Sequence, residues 1–189
     1  MRLLSSLALA LAIAMGLGVG SAFLAVEYGS NLTAVRFGPW SAPAAEGAGA
    51  DPYRAAIASR TDELRLGAAE GMAFSAATDS DGEPLTGSCS YRLVGGGIPA
   101  RLWTITARSA DGGVFGNPSG RITFNSEDLL RDGAGNFVIA IAASAQPGNW
   151  LPVEAAEPFG LTLVLYDTPI ATAPSRSAEL PRIVRDDCA

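Results

Sequence analysis

The uncharged run over residues 3–26 constrains this chain more than any other feature. It exceeds the roughly 20 apolar residues that span the hydrocarbon core of a bilayer. It is also longer than the roughly 7–15-residue apolar region of a cleaved secretory signal. Arg2 and the amino terminus precede the run, so the positive-inside rule puts the N-terminus in the cytoplasm and everything after Glu27 outside. Residues 1–26 are therefore predicted to be a transmembrane anchor or an uncleaved signal.

Two alternatives remain open within this run. The small residues over 18–22 resemble a cleavage site, which would make the segment a removable signal. Small residues also recur every four positions and would let two helices approach closely, as a homodimer face does. The first series is Ala8, Ala12, Gly16 and Gly20, and a second on another face is Ala10, Ala14, Gly18 and Ala22. Because both faces carry the pattern, it equally indicates a general Ala/Gly composition.

Composition narrows the chemistry. The chain has 19 acidic and 13 basic residues, and the basic ones are dispersed, so no nucleic-acid partner is expected. It contains no His and no Lys, which excludes His-based triads, His-ligated zinc and Schiff-base chemistry. A carboxylate-pair hydrolase remains, with Glu70 facing Glu127 or Asp128 as acid and base, although such side chains are ordinarily solvated surface charges. The composition therefore favours a non-enzymatic protein with no cofactor.

Cys89 and Cys188 are the two cysteines of the chain. An even count outside the cytoplasm predicts one disulfide, which would close a loop of about a hundred residues and hold the C-terminal tail. Two free thiols that never meet are the alternative.

Residues 27–50 are rich in Ala, Gly, Ser and Pro and are predicted to form a juxtamembrane linker. Phe37 and Trp40 in this linker would lie at the membrane interface or dock on the domain. Asp51 and Pro52 then predict the start of a short helix over residues 51–60.

Beyond the helix, the apolar pattern has a period of two. Strands are predicted over residues 70–78, 87–94, 102–108, 121–124, 137–143 and 160–166. Short strands separated by Gly, Pro and Asp turns predict a mainly β domain over 51–189, an antiparallel sandwich or barrel.

Three segments carry a family resemblance: PARLWTIT at 99–106, GNWLP at 148–152 and FGLTLVLY at 159–166. In this order and spacing they resemble a bacterial family, domain of unknown function 1214, over roughly residues 85–170. The resemblance implies a jelly-roll-like β-sandwich, which in longer relatives follows a separate domain of unknown function 1254. Short, membrane-anchored forms also occur, and this chain resembles them.

This chain departs from the family where Arg108 and Ser109 replace a Tyr-Asp pair and Val164 replaces an Arg. If those polar residues line a site in longer relatives, this chain lacks part of it. The resemblance implies no established activity, so it assigns no catalytic residue.

A ligand site is predicted at one end of the sandwich, from Tyr91, Arg101, Trp103, Asn149 and Trp150. Arg101 would share a strand face with Trp103 and clamp an anion beside an aromatic wall, or form a structural salt bridge. Trp150, in a predicted loop beside Asn149, would stack on a sugar ring or close one end of the sandwich.

Asp79, Asp81 and Glu83 resemble the opening of a calcium loop, because hard oxygen ligands at alternate positions suit Ca²⁺. An ordinary hairpin turn predicts the same residues.

The sequence as a whole indicates a single-pass protein of the bacterial inner membrane with a periplasmic β-sandwich. Its expected role is to bind a small ligand or an envelope protein. A hydrolase of an envelope glycan and a scaffold that dimerises through its anchor are the alternatives.

Overall fold

The computed structural model describes residues 2–28, 34–43, 66–67, 69–110, 112–116, 119–171 and 179–188. Within these described ranges lie one long helix, α1 (Arg2–Tyr28), and ten strands. The strands are β1 (Ala34–Phe37), β2 (Trp40–Pro43), β3 (Gly71–Ala76), β4 (Cys89–Gly95), β5 (Leu102–Ser109), β6 (Thr123–Asn125), β7 (Phe137–Ala142), β8 (Asn149–Pro152), β9 (Phe159–Tyr166) and β10 (Arg182–Cys188), with a single 3-10 turn at Pro169–Ala171. The helix predicted over 51–60 lies outside the described residues.

Helix α1 is apolar from Leu4 to Val26 and long enough to cross a membrane. Its large side chains, such as Leu4, Leu17 and Phe23, are exposed. Apolar side chains exposed along a whole helix are stabilised in the hydrocarbon core of a membrane. A helix of this kind near the N-terminus suggests a membrane anchor or a signal sequence.

The strands form two sheets that enclose a core. The larger has the order β1-β2-β3-β9-β5-β6 and the smaller the order β10-β4-β7-β8. Inward side chains from both sheets meet: Trp103 of β5 packs on Phe137 of β7, and Tyr91 of β4 meets Phe159 of β9 edge-on. The mainly β sandwich predicted from the sequence is confirmed.

All six predicted strands are present, each displaced by no more than two residues at either end. Period-two alternation explains this agreement, because it places buried and exposed side chains on opposite faces. In β9 the alternation is complete: Leu161, Leu163 and Leu165 are buried, whereas Thr162 and Val164 point outward.

The linker predicted over 27–50 is wrong at residues 34–43, which form β1 and β2 of the larger sheet. Trp40 is completely buried, and its indole N–H donates a 2.7 Å hydrogen bond to the Pro181 carbonyl. Phe37 packs edge-on against Phe74. The sandwich therefore begins before residue 51, and docking of both aromatic residues on the domain is the correct alternative.

Strand β8 corrects the loop predicted around Trp150. It pairs in parallel with β7, from Ile139 opposite Asn149 to Ala142 opposite Pro152. Parallel neighbours usually need a connection of a dozen or more residues, but here residues 143–148 alone carry the chain back beside β7. Gly148 ends this return with φ +80°, a conformation that glycine adopts without strain.

The predicted disulfide is present. Cys89 at the start of β4 is bonded to Cys188 at the end of β10, and the two residues are also partners in the strand pairing. The last strand is therefore covalently held to its neighbour, next to a bulge between Arg185 and Cys188.

Candidate functional site

The outer face of the four-stranded sheet carries an open concavity of about 1210 Å³, here called the outer groove. Outward side chains of β4 and β7 form its floor, where Val94 lies opposite Val138 and Arg92 opposite Ala140. Residues 185–187 of β10 form one wall. The other wall comes from the loop residues around Leu130 and from the end of the β7–β8 return.

The outer groove exposes large apolar side chains. Leu130 is 69% exposed and Val138 is 44% exposed. Apart from the helix, the described residues expose only two other large apolar side chains, Val114 and Ile122. Two of these four exposed apolar side chains therefore lie in one concavity, as is common at interaction sites.

Asn149 positions the wall that contains Leu130. Its side chain is buried, and its Oδ1 accepts the backbone N–H of Leu130 at 2.9 Å. Its Nδ2 donates to the carbonyls of Leu130 at 2.9 Å and Val138 at 3.0 Å. Both amide donors are thus used within the protein, and Asn149, predicted as a ligand-binding residue, acts here by holding the groove in shape.

The two arginines among the described residues of the groove are both neutralised. Arg92 forms a bidentate pair with Asp186, with N–O distances from 2.7 to 2.9 Å, and this hydrogen-bonded contact raises the pKa of Arg92. Arg185 lies 3.0 Å from a carboxylate oxygen of Asp79, and Asp79 itself is not part of the groove.

Two other groove carboxylates, Asp132 and Asp187, have no cationic partner among the described residues. Asp132 caps its own turn and accepts hydrogen bonds from the side chain and backbone of Asn136 and from the backbone of Ala134. These bonds, led by the Asn136 side chain, lower the pKa of Asp132, so it stays anionic. Among the described residues that line the groove, the charge that no ion pair offsets is therefore negative.

The predicted ligand cluster does not assemble, because Tyr91 and Trp103 are core residues, 1% and 2% exposed. The Tyr91 hydroxyl accepts the Thr86 N–H at 3.0 Å. Trp150 is half-buried on β8 and donates its indole N–H to the Ala142 carbonyl at 3.0 Å. Of the five predicted residues, only Tyr91 and Asn149 reach the outer groove.

The sequence predicts that Arg101 shares a strand face with Trp103, and this prediction is wrong. Arg101 lies just before β5 with its side chain 81% exposed, and its Nε is 3.3 Å from Asp167. A surface pair of this kind contributes little to stability. The structural salt bridge, rather than an anion clamp beside an aromatic wall, is therefore what the geometry supports.

The calcium loop predicted at Asp79, Asp81 and Glu83 is an ordinary turn. Asp79 is buried, and its Oδ1 accepts the backbone N–H groups of Asp81 at 3.0 Å and Glu83 at 2.9 Å. Its other oxygen is paired with Arg185. Within the described ranges, no three acidic or thiol side chains form a metal-binding group.

The carboxylate pair proposed for hydrolysis is also separated. Glu70 precedes β3, whereas Glu127 and Asp128 follow β6, and two strands lie between β3 and β6. Three strand spacings amount to roughly 14 Å, beyond the roughly 5–10 Å that paired catalytic carboxylates need. Glu70 instead accepts the Gly67 backbone N–H at 2.9 Å.

Two solved structures resemble this chain. The VPA0106 protein from Vibrio parahaemolyticus matches with a TM-score of 0.59 at 21% identity, over 73% of this chain and 36% of that one. An uncharacterized protein from Burkholderia cenocepacia matches with a TM-score of 0.44 at 15% identity, over 89% of this chain and 40% of that one. This chain thus spans well under half the length of either protein, and the first likeness shows a shared fold.

A comparison with curated proteins found no match. The model of the family "Protein of unknown function (DUF1214)" matches residues 70–170, more than half of the 189-residue chain. The match runs from the residue before β3 to the 3-10 turn after β9 and includes all three segments that carry the family resemblance. The chain belongs to the DUF1214 family.

Proposed function

We propose that this protein is a membrane-anchored binding module of the bacterial envelope, which receives an extended segment of a partner protein in the outer groove. The observation that carries the proposal is the exposure of Leu130 and Val138 in one concavity with a polar rim. Apolar surface of this kind is stabilised when a partner removes it from water.

The proposed location follows from two features. Helix α1 is long enough to anchor the chain, and Arg2 before it favours a cytoplasmic N-terminus and a single pass through the inner membrane. The Cys89–Cys188 disulfide favours an oxidising compartment, which for this orientation is the periplasm.

A polypeptide suits the groove better than a glycan does. Sugar-binding sites commonly present an exposed aromatic ring. Of the described residues that line this groove, the two aromatic ones, Tyr91 and Phe137, are only 1% and 2% exposed. The floor instead combines small apolar side chains along two strands with the paired Arg92, and Ser90, Asn136 and Gln146 lie at its rim. An extended peptide has apolar side chains for such a floor and backbone groups for such a rim.

The groove carboxylates support binding more than hydrolysis. A glycosidase needs a carboxylic acid whose pKa is raised so that it can protonate a leaving group. In the described part of the groove, the pKa of Asp132 is lowered by its hydrogen bonds, and Asp186 is paired with Arg92.

The test is a thermal-shift screen of the full chain in detergent micelles, with extended peptides, sugars and peptidoglycan fragments as probes. A probe at a hundred times its Kd should add about 2.7 kcal/mol of stability. The Val138→Asp variant places a charge on the groove floor. Val164→Asp is the matched control, because Val164 points outward from the opposite sheet.

The proposal predicts a peptide-induced shift that Val138→Asp abolishes and Val164→Asp retains. A shift with glycan probes alone, a peptide shift equally affected by both variants, or no shift at all would each overturn it.

A further inference from the structure

We infer that the segment received by the outer groove is basic, with two cationic side chains that bind Asp132 at one end of the groove and Asp187 at the other. This inference rests on the proposed function and adds the charge and the spacing of the partner segment.

The two carboxylates lie toward opposite ends of the floor. The backbone N–H of Asp187 donates to the hydroxyl of Ser90, near the start of β4. Asp132 is bonded to Asn136, which adjoins Phe137, and Phe137 pairs with Gly95 at the end of β4. The five residue steps from Ser90 to Gly95 correspond to roughly 17 Å of extended strand.

The charge balance of the groove favours a cation at each end. Arg92 is neutralised by Asp186 and Arg185 by Asp79, so neither lining arginine offsets the two terminal carboxylates. The exposed Arg182 is paired with Val94 on the neighbouring strand but does not line the groove. Hydrogen bonds from its own turn keep Asp132 anionic. Complementary charge across an interface selects partners and speeds their association.

Between the two ends the floor presents the apolar side chains of Val94, Val138 and Ala140, and the ion pair of Arg92 with Asp186 lies beside them. An extended peptide advances about 3.4 Å per residue, and alternate side chains face the floor. A segment that fits therefore has basic residues about six positions apart, an even separation that puts both on the face toward the groove, with small apolar residues at alternate positions between them.

The test measures the Kd of synthetic peptides for the full chain in detergent micelles at low ionic strength. The main probe is a capped heptapeptide with arginine at both ends and serine and valine alternating between them, so that both arginines and the two valines share one face. A second peptide replaces both arginines with neutral citrulline, and a third replaces them with glutamate.

We expect the arginine peptide to bind roughly ten-fold or more tightly than the citrulline peptide. Asp187→Asn and Asp132→Asn should each weaken it roughly three- to ten-fold, and added salt should reduce the difference between the peptides. Glu127→Gln, which removes a carboxylate outside the groove, should leave Kd unchanged. Because Asp132→Asn also alters a turn, Asp187→Arg provides a separate check: it should improve binding of the glutamate peptide.

Failure of this inference is distinguishable from failure of the proposed function. Equal binding of the arginine and citrulline peptides, both lost in Val138→Asp, would overturn the basic segment and leave the binding groove intact. If none of the three peptides binds, both proposals are overturned.

Discussion

The guanidinium of Arg185 lies 3.0 Å from Asp79, joining the last strand to the turn after β3. Its Nε–H is not directed at the carboxylate as in a hydrogen bond, so this contact is an ion pair, whereas another of its nitrogens donates to the Pro84 carbonyl at 2.8 Å. Asp79 is 3% exposed and also caps its own turn. A single buried carboxylate therefore organises the turn and holds β10 against it.

Arg185→Met should lower the free energy of unfolding by about 2–3 kcal/mol, because it leaves the buried Asp79 charge without a partner. This loss is smaller than for a fully buried ion pair, because the Arg185 side chain is 27% exposed and solvent screens its charge. Urea denaturation measures the loss. Asp79→Asn should cost less, because it removes the charge but keeps an oxygen that can cap the turn. Equal losses would contradict this account.

Replacing both Cys89 and Cys188 with Ser should lower the free energy of unfolding by about 2–4 kcal/mol, because the unfolded chain regains the freedom of a loop with a sequence separation of 99. Denaturant titration of the oxidised protein and the double variant gives the difference. As a control, the unfolded wild-type chain should show no free thiols before reduction and two after it. Identical stability would show that the bond does not constrain the chain.

Asn149→Ala should cost about 1–3 kcal/mol, because it leaves backbone groups of Leu130 and Val138 without their partner. It should also weaken binding of the peptide probes, since the Leu130 wall loses its support. Gln146→Ala, a change at a half-buried loop position on the same side of the groove, should stay within about 0.5 kcal/mol of wild type. Thermal melts measure the stability of both variants. Similar melting temperatures for the two would contradict the structural role of Asn149.

Trp40→Phe keeps an aromatic ring but removes the hydrogen bond to the Pro181 carbonyl. Because this bond is buried, the loss should be about 1–3 kcal/mol in chemical denaturation. Trp150→Phe is a matched control, since it loses an indole bond to the Ala142 carbonyl at a half-buried position. Trp150→Phe should lower the free energy of unfolding by less than Trp40→Phe does. A larger loss in Trp150→Phe would show that the Trp40 hydrogen bond, which docks β2, contributes little to stability.

Asp132 should make the stability depend on pH. Its pKa is lowered in the folded protein, mainly by the Asn136 side chain, so it contributes stability above the ordinary value of 3.8 and loses this as pH falls through the folded pKa. Asp132→Asn should therefore be less stable than wild type at neutral pH, and the two melting temperatures should converge under acid conditions. Asn136→Ala should show part of the same dependence. A difference that is constant with pH would argue against the hydrogen bonds as its cause.

Much of the fold was predictable because apolar and polar residues alternate clearly in six strands, and because two cysteines allow only one intramolecular disulfide. The other strands depend on distant contacts. β2 is held by Trp40 and Pro181, which are 141 positions apart, in a stretch whose composition is typical of linkers. β8 is paired through an unusually short parallel connection, and β10 carries charged residues that obscure its alternation.

The candidate site was less predictable. Leu130 and Val138 resemble ordinary core residues in the sequence, and their exposure depends on which face of the sheet they occupy. The sequence predicts Asn149 as a ligand-binding residue, whereas its hydrogen bonds to the backbone of Leu130 depend on the fold. Asp187 approaches the groove only because β10 pairs with β4.

The short return over residues 143–148 carries a consequence for how this fold could be varied. It ends in a groove wall, yet it is a surface loop whose length neither sheet dictates. Lengthening a loop costs little in closure entropy. Insertions here would therefore reshape the groove while both sheets stayed as they are, which makes this connection a natural place to graft a new specificity onto the sandwich.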